Sequence, residues 1–226
     1  MRKLLLPLLF TLACETVNEP PTAYSYRVIL PDAYQQNTTA SWPMIFALHG
    51  AGGINDLAPV FDAYAAADPQ FQFIDVLPDA RDVGWVTSSL RGTVDDAKAK
   101  YRVDNERVYV TGMSAGAYAG WRLAASRPND FAAIVLTAGG GLDEFACGLK
   151  NVPTWIAHNQ NDPVVPTSES IELYDAILAC GGLAKLTLYP PPSGRHPHDA
   201  WTPMYSNSSF YGWLLLHRRG QPGAVN

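Results

Sequence analysis

Charge and cysteine are both scarce in this 226-residue chain, with 16% charged side chains and three cysteines. So few charges beside 47% hydrophobic and 11% aromatic residues exclude a disordered chain and a coiled coil, which need a more polar composition. Sixteen Lys and Arg stand against twenty-one Asp and Glu, a net charge of −5. The basic stripe that displaces counterions from nucleic acid is missing, so nucleic acid is not expected as a partner. No apolar run reaches the roughly 18–20 residues that span a bilayer. No His, Cys, Asp or Glu cluster has metal-ligand spacing, so neither metal nor cofactor is expected.

What is present begins at the first residues. Arg2 and Lys3 precede an apolar stretch, Leu4 to Ala13, that ends at Cys14. A basic start, about ten apolar residues and a small residue before the cut read as a signal peptide over 1–13. Thr11-Leu12-Ala13-Cys14 resembles a bacterial lipobox, with Thr where Leu is usual. Acylation of Cys14 would anchor the domain to a membrane without a span. Plain cleavage after Ala13, giving a periplasmic or secreted protein, is the alternative, and either route places the domain outside the cytoplasm. Residues 14–25 are polar and Pro-rich, as a tether is, the domain is expected over 26–220, and 221–226 form a tail. With Cys14 consumed by lipid, Cys147 and Cys180 remain as an even pair. Cys147 precedes a predicted strand and Cys180 ends the antiparallel helix after it, so both fall at one end of the sheet. They are either a disulfide or two buried thiols.

Short apolar, β-branched runs punctuated by Gly, Pro and Asp predict strands at Tyr26–Leu30, Met44–His49, Phe71–Leu77, Val108–Gly112, Ala132–Thr137, Thr154–Ala157 and Leu186–Tyr189. Several lack alternation, as strands buried on both faces of a parallel sheet do. Helical stretches lie between them at Leu57–Ala67, about 88–101, Ala115–Ser126 and Ser168–Cys180, with a last one at Ser209–Arg219. This is an α/β architecture, a mostly parallel central sheet with helices on both faces. No repeat and no second domain are visible.

The chemistry gathers at strand ends. Val108–Ala117 runs a strand into Gly112-Met113-Ser114-Ala115-Gly116 and then an Ala-rich helix. A tight strand-to-helix turn needs small residues on both sides of the serine, so that its hydroxyl projects above the sheet. There the Ala115 N–H points toward a developing oxyanion. Leu48-His49-Gly50-Ala51-Gly52-Gly53 follows a strand that should neighbour this one, and its backbone near Ala51 offers a second N–H. The loop lacks phosphate-binding spacings. A serine needs a base, and the base an orienting acid. Asp162, in Asn161-Asp162-Pro163-Val164-Val165-Pro166, is the preferred acid, with Asp143 and Glu144 as rivals. His198 is the preferred base, with His196 as the alternative. His158 is expected to pin the acid loop, His49 the oxyanion loop, and His217 to lie exposed near a helix end.

These pieces resemble the α/β-hydrolase superfamily. More narrowly, they resemble its extracellular branch of polyhydroxybutyrate-depolymerase-like esterases, feruloyl and acetyl xylan esterases and hydrolases called predicted peptidases. The matching segments are 48–53, 108–121, 128–141, 162–166 and 198–202. The resemblance implies that Ser114, Asp162 and His198 form the triad of a serine esterase working through an acyl-enzyme. Two features depart from it. The helical stretch 88–101 is short, and His196-Pro197 replaces a Gly-rich approach to His198.

Only fourteen residues, 140–153, lie where relatives insert a lid. That is too few for a cap domain, so an open site is expected. It suits short-acyl or aromatic esters, including esters displayed on a polymeric chain such as a polysaccharide or polyester. Trp85, Tyr118 and Trp201 are candidates for an aromatic rim. A serine peptidase would use the same triad, and a non-catalytic binding protein on a hydrolase scaffold is a third reading.

Overall fold

Met44–Leu48, Ile74 with Val76 and Leu77, and Val108–Val110 are almost wholly buried. Apolar runs without alternation belong to strands covered on both faces. The computed structural model describes residues 22–67, 72–81, 83–191 and 194–221. The signal segment, Cys14 and most of the tether and tail lie outside them.

The described residues form one seven-stranded sheet: β1 (Tyr26–Ile29), β2 (Trp42–Leu48), β3 (Ile74–Pro78), β4 (Val103–Met113), β5 (Ala133–Thr137), β6 (Thr154–Asn159) and β7 (Ala184–Tyr189). Its order is β1-β3-β2-β4-β5-β6-β7. Only β1 runs antiparallel, against β3; the other pairings are parallel. The chain winds from β2 toward β3 on one side and toward β4 on the other. The switch point is therefore the crevice at the carboxyl ends of β2 and β4, where ligands of open α/β sheets bind.

Helices cover both faces, as expected. On one face α2 (Thr87–Lys100), α3 (Ala115–Ser126) and α4 (Thr167–Ala179) pack Leu90, Val94, Trp121, Leu123, Leu173 and Ile177 against Phe46, Val110 and Leu136. On the other, α1 (Ile54–Ala67), α5 (Trp201–Tyr205) and α6 (Ser208–Leu215) bury Leu57, Phe61, Tyr205, Phe210 and Leu214 against Ile45, Tyr109 and Val135. The segment 140–153 holds two short 3-10 turns, Asp143–Phe145 and Cys147–Leu149, and no cap. A disulfide joins Cys147 to Cys180 just beyond α4, with their Cα atoms 5.0 Å apart.

Three expectations change. The tether ends before Tyr24, which is buried at 4% exposure; its N–H donates to Thr93 and its hydroxyl to the Gly84 carbonyl. An aromatic ring with a shielded hydroxyl anchors the chain two residues earlier than composition suggests. The last helix stops at Leu215 instead of Arg219, and a short helix not expected from sequence, α5, precedes it; Asn207 separates the two and caps α6 by accepting the Ser209 N–H at 2.9 Å, as such caps start helices. His217 follows α6 and is fully buried, edge-on to Trp213 at 4.4 Å, and burial pushes its pKa down to about 4.

Candidate active site

Strand β4 delivers Ser114 at the switch point. The residue has φ 53° and ψ −121°, a left-handed backbone that a non-glycine residue rarely adopts,. Its neighbours make the turn possible. A Cβ on Gly112 would collide with the Gly116 carbonyl, and one on Gly116 with the Leu48 carbonyl. The absent side chains let β2, β4 and the start of α3 close up around a half-buried serine. Strain of this kind is held only where the surrounding structure over-determines it.

Ser114 Oγ lies 2.9 Å from His198 Nε2, and His198 Nδ1 lies 2.6 Å from Asp162 Oδ2. The Asp162 side chain is fully buried and that of His198 is 9% exposed. The order hydroxyl, imidazole, shielded carboxylate is one that can pass a proton from the hydroxyl to the imidazole. His196 does not enter it; its Nδ1 accepts the His198 backbone N–H at 3.2 Å. Asp143 and Glu144 sit in an exposed 3-10 turn.

Asp162 is held from four sides. Its Oδ1 accepts the N–H groups of Val164 at 2.8 Å and Val165 at 3.0 Å. Its Oδ2 faces His198 and, at 3.1 Å, His158 Nε2. Burial alone would raise the carboxyl pKa; the hydrogen bonds from His198, Val164 and Val165 outweigh it and hold the group below the usual range,. His158, in β6, is fully buried. Burial drives its pKa down against the pull of Asp162, so it stays neutral. Its Nε2–H serves Asp162 and the Val165 carbonyl, while Nδ1 lies 2.6 Å from Ser170 Oγ on α4. The pinning expected of His158 is therefore a bond to the acid itself.

On the other side, His49 accepts the Ala80 N–H at Nε2 (3.1 Å), which leaves the Nδ1 proton for the Gly50 carbonyl at 2.6 Å. Burial lowers its pKa and keeps it neutral. The ring thus fixes the loop carrying Ala51, which is exposed like Ala115 across from it. Ala115 opens α3, where first-turn N–H groups have no intrahelical acceptor.

Beside Ala51 and Ala115 lies a groove of about 490 Å³ lined by Trp85 and Tyr118. The Trp85 N–H donates to the His49 carbonyl at 3.1 Å, and the Tyr118 hydroxyl to Glu169 at 3.1 Å. Trp201 is not part of this rim. It is only 7% exposed and stands edge-on to His198 at 5.3 Å and His196 at 5.5 Å. It props the histidine loop from beneath, because α5 begins there and turns the indole into the core.

Two supporting residues escaped sequence reading. Asp199, 1% exposed, accepts the N–H groups of Arg195 and Thr202 at 2.8 Å each and ties the histidine loop to α5. Its position before a helix was a capping signal. Ser170 carried no such mark.

The profile of the family described as "Esterase PHB depolymerase" matches residues 34–183. Over 200 residues the chain is 25% identical to the probable feruloyl esterase C of Aspergillus niger, covering 83% of this chain and 70% of that one. It is 31% identical over 121 residues to the poly(3-hydroxyalkanoate) depolymerase C of Paucimonas lemoignei, covering 45% of this chain and 28% of the relative. Among solved structures, a thermostable esterase superposes with a TM-score of 0.74 at 26% identity, covering 86% of this chain and 59% of the other. The chain thus spans under two thirds of that esterase and less than a third of the depolymerase. Profile, relatives and superposition converge with the elbow at Ser114: the chain is an α/β-hydrolase that belongs to the esterase PHB depolymerase family.

Proposed function

We propose that this chain is a serine carboxylic-ester hydrolase in which Ser114, His198 and Asp162 act as the catalytic triad. The observation that carries this reading is the unbroken chain from Ser114 Oγ through His198 to Asp162, at 2.9 and 2.6 Å. Ser114 Oγ attacks the ester carbonyl carbon while His198 Nε2 takes its proton. The tetrahedral oxyanion sits between the backbone N–H groups of Ala115 and Ala51. His198 then hands the proton to the departing alcohol, leaving an acyl-serine. Water, deprotonated by the same imidazole, attacks the acyl-serine carbonyl; the imidazolium then returns the proton to Ser114 Oγ as the serine–acyl bond breaks and the carboxylic acid leaves. Asp162 holds the Nδ1–H tautomer and offsets the imidazolium charge that forms twice per cycle.

Short-acyl or aromatic esters, including those borne on a polysaccharide or polyester, are the proposed substrates. Supporting this are the uncapped site, the Trp85–Tyr118 walls, and relatives named as feruloyl esterases and a poly(3-hydroxyalkanoate) depolymerase. We place the domain outside the cytoplasm, on the signal-like start and on a disulfide, which persists in oxidising compartments,. Mass analysis of the mature N-terminus would tell a lipid-anchored Cys14 from plain cleavage; an intact Met1 would overturn the placement. For the activity, 4-nitrophenyl esters of two to twelve carbons and feruloylated xylan serve as substrates. Hydrolysis that favours short or aromatic acyl groups and vanishes in Ser114→Ala is expected. Full turnover in that variant, or a preference for long acyl chains, contradicts the reading.

A further inference from the structure

The groove beside Ala51 and Ala115 carries two guanidinium groups, from Arg81 and Arg122, and no carboxylate among its described lining residues. Arg81 is tied to Asp79. Arg122 is different. It is half-buried, and no ion pair or hydrogen bond to its side chain occurs among the described residues. In a chain of net charge −5, Arg27, Arg107, Arg127 and Arg218 each find an Asp or Glu. A cation left without one inside a concavity produces a focused positive potential that favours an anionic ligand.

Its placement on α3 gives the ligand a length. Ala115, Tyr118 and Arg122 follow at i, i+3 and i+7 and line the same groove,. The rise from Ala115 to Arg122 is about 10 Å. Helical side chains lean toward the N-terminus, so the guanidinium reaches back toward Ser114. A negative charge on the substrate would therefore sit roughly 6–10 Å from the attacked carbonyl, with Trp85 and Tyr118 flanking the chain between.

We propose that Arg122 is a specificity-determining residue that selects esters bearing a carboxylate at that distance, such as half-esters of medium-length diacids or the acid-terminated ends of oligoesters. The guanidinium fork pairs with both carboxylate oxygens, as lysine would not. This inference rests on the serine-esterase reading, because it takes Ser114 as the attacking group.

Two matched pairs of substrates test it. In the first, 4-nitrophenyl hydrogen suberate and its methyl ester place or remove the charge on the acyl side. In the second, 6-acetoxyhexanoate and its methyl ester do so on the alcohol side. The wild-type chain should prefer the charged member of at least one pair by about ten-fold or more in kcat/KM. The preference should arise chiefly through KM and fade in molar salt. Arg122→Gln should erase the ratio and Arg122→Lys keep part of it. Equal kcat/KM within both pairs, or a preference that survives in Arg122→Gln, overturns the inference. If no ester of either charge is turned over, the esterase reading has failed instead. Calorimetric titration with methyl hydrogen suberate then decides the anion site by itself. Binding that is lost in Arg122→Gln supports it, and no binding, or equal binding to both proteins, overturns it.

Discussion

Asp75→Asn should stabilise the protein at neutral pH, by an amount that grows with pH. Asp75 lies in β3, facing α1 and α6, at 5% exposure, and its Oδ1 has no hydrogen-bond partner among the described residues. Burial, helped by the charge of Asp62, pushes its carboxyl from an ordinary 3.8 up to about 8,. Below pH 4 the group is protonated in folded and unfolded chains alike and adds no pH dependence. Between about 4 and 8 the unfolded chain releases the proton while the folded chain keeps it, so rising pH favours unfolding. Above 8 both forms are ionised and the slope ends. Each pH unit inside that window costs about 1.4 kcal/mol, or about 4 kcal/mol by pH 7 as an upper bound. Asparagine keeps the shape and cannot ionise. Urea unfolding of both proteins at pH 5, 6, 7 and 8 gives the difference in stability, from which other titrating groups cancel. The variant should gain about 2–3 kcal/mol on the wild type between pH 5 and 7. A difference that stays flat with pH would refute a neutral buried carboxyl at this position.

Other substitutions probe the site and its frame. His158→Phe removes one of the two imidazole bonds to Asp162 Oδ2 and should lower kcat roughly ten- to hundred-fold with KM little changed. A kcat within two-fold of wild type, in a variant with unaltered melting, would show that the second histidine contributes nothing to the acid. Gly116→Ala drives a Cβ into the Leu48 carbonyl and should cost roughly 100-fold in kcat/KM by displacing the elbow against the Ala51 loop; retained activity would mean the turn relaxes freely. Cys147→Ser with Cys180→Ser opens a link across 33 residues and should lower Tm by about 10 °C, from about 3–4 kcal/mol of lost chain restraint. An unchanged Tm would show that packing alone holds 140–153.

Much of the architecture is legible because local chemistry marks it. Glycines 112 and 116 flank the serine where β4 passes into α3, an Asp-Pro turn at 162 lies between β6 and α4, and a His-Asp pair at 198 lies just before α5, places where backbone geometry dictates residue type. Strand runs such as Met44–Leu48 announce burial on both faces. What stayed hidden depends on partners far away in sequence. Tyr24 reads as tether because Thr93 and Gly84, which hold it, come some sixty to seventy residues later. Trp201 reads as rim because its motif places it beside His198, and only α5 shows that the ring turns inward. His217 reads as an exposed helix end because nothing in its apolar run signals that α6 stops at Leu215 and that His217 itself turns inward. The second histidine on Asp162 arises from β6 and its loop closing on one oxygen, a matter of distances no spacing encodes. Arg122 carried no local signal either, since a lone arginine on a helix is ordinary until the described residues lining the groove beside it are seen to include no acid.

The most direct test of the central claim, an activated serine at position 114, needs no knowledge of the substrate. A fluorophosphonate probe should add one adduct per chain, located by peptide mapping on Ser114, with labelling absent in Ser114→Ala and much slower in His198→Ala. No adduct on folded protein, an adduct on another residue, or equal labelling of the Ser114→Ala variant would contradict it.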